Sequence, residues 1–187
     1  MQSLEKIIEG CKKMQRSSQK ALYDTYSPVL YAMAMRYASH ASEAEDMLQE
    51  AFINIFRNIK QYSGTGSFEG WMKRILINAA IGYIRKHKKQ HFDNFDDVQE
   101  VRLKDFNFSD EDFTREELMA AINELPEGFR VVFNLYAIEG YKHKEIADML
   151  GIQIGTSKSQ YSRARNILKK KLTAMKQEQT NTYGREA

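Results

Sequence analysis

The chain has a single cysteine, two prolines and no long apolar run, and each shortage narrows what it can be. With Cys11 alone, neither an intramolecular disulfide nor a multi-cysteine zinc site can form. The first residues (MQSLEKIIEGCKK) lack the apolar stretch of a signal peptide. Nothing later approaches the ~18 consecutive apolar residues of a membrane span. A soluble, cytoplasmic chain with no membrane insertion is therefore expected. So few prolines, with only ten glycines, leave long stretches free to stay helical, and the expected fold is all-α. No phosphate-binding glycine loop and no nucleophile–base pairing stands out, so neither catalysis nor a cofactor is expected of the chain. His87 and His91 are spaced to share a helix face as metal ligands. They sit in KHKKQH, however, where positive charge opposes a cation, and no carboxylate stands at a ligand-like offset. No metal is expected there.

What is present is unevenly distributed charge. Residues 1–92 carry 14 basic and 8 acidic side chains, residues 93–113 carry 2 and 8, and residues 114–187 carry 12 and 9. Two basic blocks around an acidic strip suit two polyanion-binding modules on one tether, although solvated helix faces also vary in charge by chance. The expected organisation is a helical domain over 1–92, a flexible acidic linker over 93–113, a second helical domain over 114–175 and a frayed tail over 176–187. Of the linker's phenylalanines (Phe95, Phe106, Phe108, Phe113), some are expected to dock on a partner.

Periodicity places the helices. Leu4, Ile7, Ile8 and Cys11 open the first domain, and a stretch from about Arg16 to Ala38 follows, with Pro28 expected to kink or interrupt it. Ser42 and Glu45 have the spacing of a capping box. The helix after them buries Met47, Leu48, Ala51, Phe52, Ile55, Phe56 and Ile59, leaving Glu43, Asp46 and Glu50 on the opposite face. A glycine-bearing loop (YSGTGS) leads to a helix over about Phe68–His87, with Trp71, Met72, Ile75, Ala79, Tyr83 and Ile84 inward. In the second domain Thr114 and Glu117 have capping-box spacing, and Pro126 suits the first turn of a helix ending at Gly140. Lys142–Leu150 is then closed by Gly151, and a last helix runs from about Thr156 to Met175.

The most specific pattern is HKEIADMLGIQIGTSKSQYSRARNILKKKL, which reads as a helix–turn–helix. Ile146, Ala147 and Leu150 face inward, Gly151 permits the turn, and Ile152 and Ile154 are expected to plug the core. In the second helix Tyr161, Ala164, Leu168 and Leu172 face inward, which turns Lys158, Ser159, Ser162, Arg163 and Arg165 outward toward a major groove. Seven basic residues and no acid lie between Lys158 and Lys176. An ordinary helical hairpin with a basic face is the plainer reading. A second pattern, Gly70–Phe92, holds six Lys or Arg, no acid, and interleaved aromatics. Trp71 and Tyr83 suit either core positions or base-stacking platforms, while Lys73, Arg74, Asn78 and Arg85 face outward as nucleic-acid candidates. The acidic face around Glu45–Glu50 is either solvated or a docking surface for a basic partner.

SEAEDMLQEAF resembles the core-binding motif of region 2.2 in extracytoplasmic-function sigma factors. FEGWMKRILINAA resembles their regions 2.3 to 2.4, which melt and read the promoter −10 element. LPEGFRVVFNLYAIEGYKHKEIADMLGIQIGTSKSQYSRAR resembles region 4, which reads the −35 element. The resemblance implies a sigma factor with three partners: core RNA polymerase, promoter DNA (duplex at −35, single-stranded at −10) and an anti-sigma factor. It implies that Glu45, Asp46, Gln49 and Glu50 meet the polymerase clamp. Ser63, Gly64, Ser67 and Phe68, in the loop over 61–68, would capture an unstacked base, with Trp71, Lys73, Arg74, Asn78 and Arg85 supporting strand separation. Thr156, Lys158, Ser159, Gln160, Ser162, Arg163, Arg165 and Lys169 would approach the −35 groove. Gly82 departs from the aspartate common at its position. Ser157 and Gln160 replace the valine and arginine of the commoner GTVKSR string, and Gln160 would favour adenine. A stand-alone helix–turn–helix regulator is the rival reading, although it gives the N-terminal half no purpose.

Overall fold

The computed structural model describes residues 3–87 and 113–183, with side chains as far as 177. It divides into two compact units, residues 1–88 and 89–187, and in the described part of each the regular elements are helices. The acidic segment, with Phe95, Phe106, Phe108 and His91, lies outside the described residues except at its last position.

The first unit contains α1 (Leu4–Lys12), α2 (Arg16–Ala34), α3 (Ala41–Asn58) with a 3₁₀ turn at Ile59–Gln61, and α4 (Phe68–His87). Leu22, Leu30 and Tyr37, then Met47, Ala51 and Ile55, then Met72, Leu76 and Ile84 are fully enclosed where α2, α3 and α4 meet. α2 does not break at Pro28. Proline removes the N–H that would bond the Asp24 carbonyl, but Asp24 and Pro28 are both exposed, so water can take that carbonyl. The helix ends at Ala34, four residues earlier than expected, and its last turns tighten through Arg36 N–H to Met33 and Tyr37 N–H to Ala34. The Ser42–Glu45 capping box does not form. The N-cap is His40, so Ser42 lies inside the first turn, and Glu43 reaches back to accept the Ser39 N–H at 2.8 Å. Glu43 is thereby buried rather than part of the acidic face, while Glu45 is exposed.

The second unit contains α5 (Arg115–Asn123), α6 (Glu127–Phe133), a π turn over Asn134–Ile138, α7 (His143–Leu150) and α8 (Ile154–Tyr183). The Thr114–Glu117 capping box forms with both of its bonds. Arg130 of α6 is buried and donates from Nη1 to the Asn123 carbonyl at 2.9 Å, satisfying the C-terminal end of α5. Lys171 of α8 pairs with Glu124. The core joins Phe113, Ile122, Leu125 and Phe129 to Ala164, Leu168 and Leu172 of α8. Phe113 is thus part of this domain's own core and not a free linker residue, which moves the domain's start to 113. α8 begins at Ile154 and continues to Tyr183, so its helical backbone passes Met175 into the expected tail. Gly151 takes φ 69°, the left-handed conformation the turn requires. The chain then leaves Ile154 45% exposed, and Ile152 only half-buried, instead of plugging the core.

Two glycines test this packing in opposite directions. A Cβ at Gly10 would lie 2.0 Å from Ser18 Oγ and 2.6 Å from Ser18 Cβ, where α1 crosses α2. Gly10→Ala should therefore cost the first unit about 1–3 kcal/mol in chemical denaturation. Gly82 is exposed within α4 with nothing within 4 Å of a Cβ, so Gly82→Ala should add about 0.5–1 kcal/mol by the same measurement.

Candidate polymerase and nucleic-acid interfaces

The inward stripe of α3 (Met47, Ala51, Ile55) forces Asp46, Gln49 and Glu50 outward, and all three are exposed, as is Glu45. Asp46 and Gln49 stand on a crest between two grooves. One, of 720 Å³ between α3 and α4, also involves Glu50, Asn78, Gly82, Tyr83 and Lys86. The other, of 780 Å³ between α2 and α3, is walled by Tyr23, Tyr31, Glu45, Phe52 and Phe56. In the second groove Tyr23 and Phe52 meet with ring centroids 4.7 Å apart, and Tyr23 and Ile53 remain exposed. The crest therefore offers carboxylates and an amide to a cationic partner, with aromatic surface beside them for its apolar side chains.

The loop before α4 is shaped by two left-handed glycines, Gly64 at φ 80° and Gly66 at φ 79°. Tyr62 Oη donates to the Gly66 carbonyl at 2.9 Å, and the Ser63 and Thr65 hydroxyls lie 2.6 Å apart. Ser63, Gly64 and Ser67 are exposed, and Phe68 is buried beneath them. Tyr62, Phe68 and Trp71 form a three-ring cluster with centroids 5.0 to 5.5 Å apart, Phe68 and Trp71 being stacked at 24°. Trp71 is half-buried, and so is Tyr83, which stacks on His87 at 4.5 Å. Both rings thus lie between core and surface. Lys73 pairs with Glu69 at 2.6 Å, while Arg74, Asn78 and Arg85 project from α4 into solvent.

In the helix–turn–helix, Ile146, Ala147 and Leu150 of α7 are buried, as are Ala164, Leu168 and Leu172 of α8. Lys158 is exposed, and Thr156, Ser159, Ser162, Arg163, Arg165 and Lys169 are half-buried. Gln160 is not on this face. It is fully enclosed, and neither amide atom has a hydrogen-bond partner. Its spacing from Ser157 (i+3) and Ala164 (i−4) places it on the inward seam, about half a turn from Lys158, Ser162 and Lys169. The expected reading of adenine by Gln160 is therefore corrected.

Sequence reasoning passed over a ring cluster at the same place. His143, at the start of α7, stacks on Tyr136 of the π turn with centroids 4.2 Å apart and planes at 13°. Tyr161 lies 4.5 Å from Tyr136, and the Arg165 guanidinium sits over the Tyr161 ring at 5.9 Å. Burial raises the Tyr161 phenol pKa above its usual value. The available signal was an aromatic and a histidine flanking the first helix of the motif.

Among the described residues no three His, Cys, Asp or Glu side chains gather as a metal site, and no helix is long and apolar enough to cross a membrane.

Residues 22–90 match the family model for Sigma-70 region 2, and residues 115–168 match that for Sigma-70, region 4. The ECF RNA polymerase sigma factor SigE of Mycolicibacterium smegmatis is 33% identical over 144 residues, covering 75% of this chain and 56% of that protein. The chain belongs to the extracytoplasmic-function group of sigma-70 factors. The ECF sigma factor SigW of Bacillus subtilis is 28% identical over 180 residues, covering 90% of this chain and 96% of that one. The RNA polymerase sigma-H factor of Pseudomonas aeruginosa is 27% identical over 185 residues, covering 93% and 96%. All but the last two residues of the region 2 match fall in the first structural unit and the region 4 match falls in the second, so this sigma factor carries its α3 crest and ring-walled loop in region 2 and its helix–turn–helix in region 4.

Gln160→Leu replaces an unpartnered buried amide with an apolar side chain of similar size. Thermal and chemical denaturation should show the region 4 unit stabilised by about 1–3 kcal/mol.

Proposed function

We propose that this sigma factor docks on core RNA polymerase through the α3 crest, holds the −10 strand open at the loop before α4, and anchors the −35 duplex with α8. The exposed row of Asp46, Gln49 and Glu50 beside an aromatic groove carries the reading. Charge of one sign on a rigid helix steers and orients a basic partner surface, and the apolar flank supplies the affinity.

At the loop, exposed hydroxyls of Ser63 and Ser67 offer hydrogen bonds to an unstacked base, and the Tyr62–Phe68–Trp71 wall offers a stacking face worth ~1–3 kcal/mol per base. Arg74 and Arg85, with Asn78 between them and Lys73 beside them, follow the strand's phosphates along α4. On α8 the cations Lys158, Arg163, Arg165 and Lys169 grip phosphates, while Thr156, Ser159 and Ser162 are short enough to meet base edges. RNA synthesis itself belongs to the polymerase. An anti-sigma factor is the third partner. The exposed Tyr23 and Ile53 beside the crest are surface that such a masking protein would bury. The domain roles follow: residues 1–92 for core and −10 binding, and 113–175 for −35 binding.

The test is binding of the purified chain to bacterial core RNA polymerase by native gel or fluorescence. Asp46→Arg and Glu50→Arg should each weaken binding about tenfold or more, equal to ~1.4 kcal/mol, without changing thermal stability. A folded chain that ignores core polymerase yet still binds duplex DNA would instead be a stand-alone regulator.

A further inference from the structure

His143 opens α7, and its Nδ1 lies 3.0 Å from the Ser157 hydroxyl in the first turn of α8. This bond joins the two helices of the helix–turn–helix across 14 positions of sequence. The imidazole is fixed from both sides, stacked on Tyr136 at 4.2 Å and met edge-on by Tyr161 at 5.8 Å and 60°. Tyr136 belongs to the π turn over Asn134–Ile138, whose wider turn re-aims the side chains it carries. Ser157 is fully enclosed, so water cannot replace the imidazole as its partner. Its neighbours Thr156, Lys158 and Ser159 begin the outward face of α8. Any rotation of that first turn moves all three together.

We propose that His143 is a positioning residue for duplex recognition, which through Ser157 and the Tyr136 stack fixes the rotation of the first turn of α8. This rests on α8 being the duplex-facing helix. The valine of the commoner string, which Ser157 replaces, could neither donate nor accept this bond. The ring is held in its neutral form: burial first, and the charge of Lys158 second, lower its pKa below the ordinary 6.5. Around it stand Tyr136 from the π turn and Tyr161, Ser157 and Lys158 from α8. Because the folded value is depressed, the unfolded chain binds more protons as pH falls through the ordinary value. The region 4 unit therefore loses stability on acidification across that window.

The experiment uses the full chain bound to core polymerase and a pool of duplexes randomised over the upstream half of the contact region, with bound DNA sequenced and affinities measured. His143→Phe keeps a ring on Tyr136 but leaves the Ser157 hydroxyl unpaired, Ser157→Val leaves the imidazole unpaired, and the double variant removes both polar groups. Each single variant should bind its selected duplex about tenfold more weakly and show relaxed preference at the bases nearest the start of α8. The double variant should bind as weakly as either single variant and no more weakly, because each has already lost the bond. Since it leaves no buried polar group unpaired, it covers the case in which a single variant folds poorly. It should lack the wild-type fall in melting temperature below the ordinary imidazole pKa. Single variants with wild-type affinity and base preference, altered only in melting temperature, would overturn the positioning role. Lys158→Ala separates the two layers: duplex affinity unmoved by that change would refute the duplex-facing assignment of α8 and the positioning role with it.

Discussion

Burial of one stripe of α3 is the constraint on which the first domain depends. Met47, Ala51 and Ile55 are fully enclosed against α2 and α4. A helix that commits those positions inward has no freedom over where Asp46, Gln49 and Glu50 point. The same packing presents one side of α4 to α3 and leaves Arg74, Asn78 and Arg85 in solvent. It also brings Phe68 beneath Trp71 and Tyr62, so the glycine loop is backed by rings instead of by empty space. The acidic crest and the glycine loop are thus two consequences of one core.

The second domain repeats the logic with a different seam. Ala147 and Ala164 are small enough for α7 and α8 to pack closely, and the left-handed Gly151 sets the angle between them. Ser157, Gln160, Ala164, Leu168 and Leu172 form the inward side of α8. This side begins with two polar residues, and they fare differently. Ser157 has found His143, whereas the Gln160 amide has no partner and weakens the fold it sits in.

Much of this was legible in the sequence because it depends on local period. The span Phe68–His87 for α4, the Thr114–Glu117 cap, the turn at Gly151 and the acidic crest all follow from spacing and residue chemistry within a few turns. Several of the misses turn on a shift of one residue or on a distant contact. Period alone cannot separate a helix starting at Ala41 from one starting after Ser42, so Glu43 was placed on the wrong face. Gln160 was turned outward because the likeness to a known string outweighed the period that links it to Ser157 and Ala164. Phe113, at the edge of an acidic strip, finds its core partners on α8, far along the chain. The His143–Ser157 bond needs the turn between α7 and α8 to exist before it can be seen. Pro28 was overweighted because its cost depends on whether the freed carbonyl meets water.

The most direct test is transcription by core polymerase reconstituted with this chain on a pool of promoter-length DNA randomised upstream of the start, with RNA 5′ ends sequenced. The account predicts initiation at discrete sites that share two short elements at a fixed spacing, absent from core polymerase alone. Start sites no different from those of core polymerase alone would contradict it.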